Sequence, residues 1–131
     1  MQDRHQLDIW QRGMSYAVAL YEFSAGLPND ERYNLTAQLR RAATSVPLNI
    51  AEGCGCATNG EFARFRGYAC RSLKEVTTCL ELIQRLYVSL PLGSINSLIE
   101  EGDQISRMIY ALMQRLSSTP TKDLGLLRTE N

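Results

Sequence analysis

The chain has 131 residues and a mass of 14.7 kDa, which is the size of one domain with one hydrophobic core. Hydrophobic residues make up 44% and charged residues 21%, a globular composition that excludes a disordered or fibrous chain. The longest apolar run, which ends at Tyr21, is far shorter than the roughly twenty residues that a membrane span needs. Since residues 1–6 are too polar for a signal peptide, we expect a cytoplasmic protein without a membrane anchor.

The charges cancel overall but are unevenly distributed along the chain. Residues 32–74 hold seven basic and two acidic side chains, a net charge of +5, and twelve of the fourteen basic residues in the chain are arginine. Arginine binds phosphate or carboxylate through two parallel hydrogen bonds. The arginine-rich region therefore predicts a nucleic-acid backbone as partner, an acidic surface on a neighbouring subunit, or a solvated helix face with internal ion pairs. The candidate nucleic-acid-binding residues are Arg40, Arg41, Arg64, Arg66, Arg71 and Lys74.

Helical periodicity predicts four amphipathic helices, at residues 6–26, 31–53, 59–89 and 94–117. The turn that follows the first helix offers Asn29 or Asp30 as the cap of the second helix. In the first helix the expected core stripe consists of Leu7, Trp10, Met14, Ala17/Val18, Tyr21 and Ala25.

The second helix contains a proline in the middle of its apolar stripe. Pro47 removes the hydrogen bond to the Ala43 carbonyl, so the helix either ends before it or continues with a kink. The stripe keeps its phase from Val46 to Ile50, which favours the kink. The hydroxyls of the preceding Thr44 and Ser45 are placed to satisfy freed carbonyls.

Four residues near this proline form a candidate structural motif: Pro47, Asn49, Glu52 and Gly53. Asn49 and Glu52 are polar residues close to a packed stripe and have two interpretations. One is a functional site; the other has Asn49 bonding the backbone near Pro47 and Glu52 pairing with an arginine such as Arg41. Gly53 and Gly55 are expected to end the helix by adopting a left-handed backbone.

The third helix begins with Thr58 and Glu61, the spacing of a capping box, and repeats apolar residues every seven positions as in bundle packing. The fourth follows a turn at Pro91 and Gly93, and residues 119–131 form a tail that is mobile or docks on a neighbour. Strand-like alternation is absent. Residues 1–118 are therefore predicted to fold as an all-α, antiparallel up-down-up-down four-helix bundle with a Pro-kinked second helix.

Residue combinations typical of catalysis or metal binding are missing from the sequence. His5 is the only histidine, so there is no catalytic triad base at a suitable place and no Glu-x-x-His pair of a di-iron bundle. A Gly-x-x-x-x-Gly-Lys phosphate loop is also absent. The cysteine pair Cys54 and Cys56 alone is a weak zinc signal, and we expect free thiols. We predict a protein without catalytic residues, metal or cofactor.

Residues 38–53 read QLRRAATSVPLNIAEG. Together with Leu7–Gln11, Leu27–Tyr33 and Glu61–Phe65, this segment resembles the signature of the four-helix-bundle family of 23S rRNA intervening-sequence proteins. The resemblance covers about residues 5–118 and implies a bundle that assembles as a ring-shaped homopentamer. The family is also similar to accessory proteins of diversity-generating retroelements, which implies a reverse transcriptase and RNA or DNA as partners of a basic surface.

Two departures from the family pattern concern charge. The turn at residues 54–59 carries no charge, where the family usually has a basic or Ser-rich turn, and Arg71 stands where a glycine is common. Two hypotheses follow: a homo-oligomer that binds nucleic acid or a nucleoprotein through its arginines, and an assembly module whose arginines serve subunit contacts.

Overall fold

The computed structural model describes residues 4–56 and 58–117, so the predicted tail at 119–131 lies outside the described residues. Its helices are α1 (Arg4–Ser24), α2 (Leu35–Cys54), α3 (Asn59–Leu86) and α4 (Ile95–Ser117), with a 3-10 turn at Asn29–Glu31. The described part of the chain contains no strand. The predicted all-α four-helix fold is confirmed, and none of the described helices is long and apolar enough to cross a membrane.

The connection between α1 and α2 differs from the prediction. The second helix begins at Leu35 rather than at residue 31, because residues 29–31 coil into the 3-10 turn that follows Pro28. The expected caps Asn29 and Asp30 lie in that turn. The Glu31 carboxylate takes the capping role instead, since its Oε1 accepts a hydrogen bond from the Leu35 N–H at 3.3 Å. By contrast, Thr58 caps α3 as predicted, accepting the Glu61 N–H at 3.1 Å.

Helix α2 continues through Pro47 without interruption. The hydroxyls of Thr44 and Ser45 donate to the Arg41 carbonyl at 3.1 and 3.0 Å, two residues before the Ala43 carbonyl that the proline frees. These bonds therefore stabilise the helical turn that precedes Pro47. Pro47 itself is buried against α1, where its Cα lies 3.6 Å from the position of a Cβ built on Gly13.

The predicted left-handed glycines at the end of α2 are wrong. Gly55 has a φ of −89°, and no glycine of the described residues has a positive φ. The helix ends with the Gly55 N–H donating to carbonyls of the preceding turn. Gly53 is buried inside the helix, and a Cβ there would lie 3.0 Å from the Phe62 ring. Its small size therefore lets α2 and α3 approach closely.

Each helix packs against two neighbours, α1 and α3 both lying beside α2 and α4. Helices α1 and α4 run in opposite directions: Arg12 pairs with Glu101, whereas Tyr16, further along α1, bonds to the earlier Leu98. The centre of the core is formed by fully buried residues from all four helices, among them Leu20, Leu39, Ala43, Val46, Ala69, Val76, Leu80, Ile83 and Ile105.

The predicted core stripe of α1 is largely on the wrong face. Leu7, Met14, Val18 and Tyr21 are between 41% and 57% exposed, whereas the core is formed by Ile9, Tyr16, Ala17 and Leu20. The helix carries two adjacent apolar stripes, and periodicity does not tell which one faces inward. The unused stripe leaves apolar surface on the outside of the bundle.

Candidate nucleic-acid interface

Arg40 holds two helices together. Its Nε donates to Ser24 Oγ at 2.7 Å, its Nη2 donates to the Tyr21 carbonyl at 3.3 Å, and its guanidinium stacks 4.6 Å from the centre of the Tyr21 ring. Ser24 is itself buried. Because the guanidinium bonds both the Ser24 hydroxyl and the Tyr21 carbonyl in the last turn of α1, Arg40 has a structural role at this helix end.

Arg66 also points inward. Its Nε is buried with no hydrogen-bond partner in the described part of the chain, and its side chain lines a small cavity at the end of the bundle with Gln6, Asn49 and Phe62. A buried, unsatisfied donor costs free energy. Arg66 is therefore separated from the exposed cations that precede and follow it on α3.

An exposed row on α3 joins two arginines with two aromatic rings. The Arg64 guanidinium lies 5.2 Å from the Phe65 ring centre, and the Arg71 guanidinium lies 5.4 Å from that of Tyr68. The two rings pack edge to face with their centres 5.7 Å apart. We call Arg64, Phe65, Tyr68 and Arg71 the arginine–aromatic ladder.

The packing of α2 on α3 fixes the position of Phe65 in the arginine–aromatic ladder. Phe65 is half-buried, and its Cβ lies 3.3 Å from a Cβ built on Gly53. A larger residue at position 53 would push the ring away. Stacking on a ring orients a guanidinium while leaving N–H groups on its edge available for a phosphate.

The cations of the ladder have no acidic partner. Among the described residues, no carboxylate oxygen lies within 4 Å of Arg41, Arg64, Arg71 or Lys74, whereas Arg12 pairs with Glu101 and Arg107 with Asp103. Lys74 follows Arg71 by about one turn and, with it, lines an open groove between α3 and α4. Arg41 is exposed on α2.

The structural interpretation of Asn49 agrees with the observed contacts, and that of Glu52 does not. Asn49 Nδ2 donates to the Ser45 carbonyl at 2.8 Å, beside Pro47. Glu52 is exposed, and the expected ion pair with Arg41 is not formed. The four residues therefore form no joint site: Pro47 and Gly53 pack, Asn49 bonds the backbone and Glu52 faces outward.

No disulfide joins Cys54, Cys56, Cys70 and Cys79. Burial raises the pKa of the Cys70 and Cys79 thiols, and nearby Arg66 and Arg41 oppose this effect only in part. Protonated thiols are poor nucleophiles at neutral pH.

The fold and the exposed ladder define a small all-α four-helix bundle with one basic helix face. The model of the 23S rRNA-intervening sequence protein family matches residues 5–111, and the chain belongs to this family. Its fold is similar to that of a protein of unknown function from the S23 ribosomal protein family of Bacteroides thetaiotaomicron VPI-5482. The two share 18% identity and a TM-score of 0.75, over 84% of this chain and 98% of that one. No curated protein sequence matches the chain.

The spacing of arginine and aromatic residues in the sequence indicates the ladder, whereas the net charge of residues 32–74 does not. Arg64 precedes Phe65 directly, and Arg71 follows Tyr68 by three positions, the spacing at which helical side chains meet.

The sequence carries no comparable signal for Arg40, which lies beside the exposed Arg41. Arg66 is four positions after the buried Phe62 and three before the buried Ala69, the helical spacing that places it beside the core.

Proposed function

We propose that this protein is a non-catalytic, self-associating helical bundle that binds nucleic acid or a nucleoprotein through the arginine–aromatic ladder. The observation that carries the proposal is the pair of exposed guanidinium groups of Arg64 and Arg71, each stacked on a ring and without a carboxylate partner. They lie two helical turns apart, about 10 Å along the axis, so one phosphate backbone can contact both. The exposed Tyr68 between them offers a surface on which an unpaired base can stack.

The family resemblance implies that the assembly is a homopentamer. The similarity to retroelement accessory proteins implies that the nucleoprotein is a reverse transcriptase bound to its RNA. We include both in the proposal. A gene position beside a reverse transcriptase gene would support this partner. A position inside an rRNA insertion would favour a partner that is not a reverse transcriptase.

Titration of a fluorescent RNA hairpin and of an unpaired RNA against rising salt tests the ladder. The double variant R64Q/R71Q should weaken binding and flatten the slope of log K against log salt by roughly 1.4 for a single strand, or by about 1.8 if the interface follows the duplex rule. The matched control R32Q/R115Q removes the same charge at exposed positions outside the ladder and outside the groove that Arg71 and Lys74 line, and it should leave both quantities nearly unchanged. Equal losses in the two variants, or no binding by the unmodified protein, would contradict the proposal.

The alternative function is an assembly module whose arginines contact neighbouring subunits. It is favoured by the same unpaired cations, because a partner subunit can supply the carboxylates. Charge reversal in R64E/R71E separates the two functions by sedimentation: the nucleic-acid interface predicts an unchanged assembly, whereas subunit contacts predict its dissociation.

A further inference from the structure

The outer apolar stripe of α1 lies beside a furrow shared with α2. Met14, Val18 and Tyr21 form one wall, Leu48 forms the other at 63% exposure, and the small side chains of Ala17 and Ala51 leave the floor low. Leu7 extends the stripe, which then runs over fifteen residues from Leu7 to Tyr21, or about 21 Å. We call this feature the α1/α2 groove. A furrow between two helices is the shape that receives a third helix.

The same chain presents an apolar helix end that nothing of its own covers. Leu82, Leu86 and Val88 are 44%, 58% and 82% exposed at the C-terminal end of α3, and the first two share a helix face. We call these three residues the α3 tip. The opposite face of α3 is packed into the core through Val76, Leu80 and Ile83, so the tip cannot turn into the groove of its own chain.

Charge also matches the groove to the tip. Glu22 is the one charged residue in the described lining of the main part of the groove. Arg85 lies between Leu82 and Leu86 on the tip. Both side chains are exposed, and neither forms an ion pair in the described part of the chain.

We infer that the α1/α2 groove receives the α3 tip of a second copy of this chain, with Arg85 of the tip facing Glu22 of the groove. This inference rests on the self-association in the proposed function and adds the surfaces that produce it. The two surfaces are different, so each copy gives its tip to one neighbour and its groove to another. Such a head-to-tail contact closes into a ring when the rotation between copies allows it.

The arrangement covers both exposed apolar surfaces of every copy. Each copy gives its tip to one neighbour and its groove to another, so it takes part in two contacts. A groove-to-groove pair would cover only one of the two surfaces and would leave the tip exposed.

Sedimentation velocity of single and mixed variants tests the arrangement. Val18→Glu removes the groove and Leu86→Glu removes the tip, and each variant alone should sediment as a 14.7 kDa monomer. Mixing them should restore one contact and give a dimer, because the first retains a tip and the second retains a groove. Circular dichroism checks the fold, and Tyr110→Glu, at an exposed position of α4, is the matched control expected to assemble normally.

A charge exchange identifies the register of the contact. Glu22→Arg and Arg85→Glu should each weaken assembly, and E22R/R85E should restore it. An unmodified protein that is monomeric, a Leu86→Glu variant that assembles fully, or dissociation by Tyr110→Glu equal to that by Val18→Glu would overturn the inference. Failure here is distinguishable from failure of the ladder, since R64Q/R71Q tests RNA binding and leaves groove and tip intact.

Discussion

Gly102 on α4 lies against Tyr16 of α1, and its replacement by alanine tests how these two helices pack. A Cβ at position 102 would lie 2.6 Å from Tyr16 Oη and 3.2 Å from its Cζ. The ring has little freedom to move, because Tyr16 is 2% exposed and its hydroxyl donates to the Leu98 carbonyl at 2.7 Å. Gly102→Ala should therefore displace the ring or separate the helices.

Three contributions set the size of the effect. Alanine in place of glycine favours a helix by about 1 kcal/mol. Forcing an extra methyl into a packed contact costs about 1–3 kcal/mol, and weakening the Tyr16 hydrogen bond costs about 0.5–1.5 kcal/mol. The penalties exceed the gain, so Gly102→Ala should lower the free energy of unfolding by about 0.5–3.5 kcal/mol.

Urea unfolding followed by circular dichroism at fixed protomer concentration measures the change. The control is Gly67→Ala on α3, where a Cβ meets nothing within 4 Å and stability should rise by up to about 1 kcal/mol. In a Tyr16→Phe background the hydroxyl is gone, and most of the penalty of Gly102→Ala should disappear. Stabilisation by Gly102→Ala equal to that by Gly67→Ala would refute the close contact between α1 and α4.

Three further predictions concern residues that point inward. Arg40→Met should lower the free energy of unfolding by about 1–3 kcal/mol in the same assay, since it leaves Ser24 without its guanidinium partner. RNA affinity should stay unchanged when it is measured under conditions that keep the variant folded. Arg66→Met should keep or raise stability because it removes an unpartnered buried donor, and a loss above about 1 kcal/mol would show that Nε has a partner. Burial, together with the negative charge of Glu101, raises the pKa of Tyr16. The contribution of Tyr16 to stability is therefore present below about pH 10 and is lost as the pH rises further. Tyr16→Phe should make the free energy of unfolding less dependent on pH in that range, which alkaline unfolding measures.

Much of the fold is predictable because helix signals are local. The stripe predicted for α2 faces the core, as shown by the buried Val46 and Ile50. Pro47 does not interrupt α2, as the unbroken phase of the stripe predicted. The start of α2 was missed because a carboxylate one turn earlier, that of Glu31, caps it in place of the expected residues.

The candidate site is less predictable because it depends on contacts between helices. The sequence identifies Arg64 and Arg71 as basic residues seven positions apart, yet it does not show that Gly53 on another helix seats the ring beside them. Arg40 and Arg41 are adjacent in sequence and have opposite environments, one bonded to Ser24 and the other exposed. Only tertiary packing distinguishes them.

The wrong stripe of α1 is itself informative about function. A helix that packs only on its own bundle needs an apolar arc of about 100°. In α1 the apolar arc includes both the buried Ile9 and Leu20 and the exposed Met14 and Val18, so it is wider than the bundle uses. Both stripes show the three- and four-residue spacing of a helix face, so periodicity alone does not distinguish the outer stripe from the buried one. Two apolar stripes on one helix are what two packing partners require, one within the chain and one outside it. If the outer stripe has no partner, Val18→Glu should change neither the sedimentation nor the solubility of the protein.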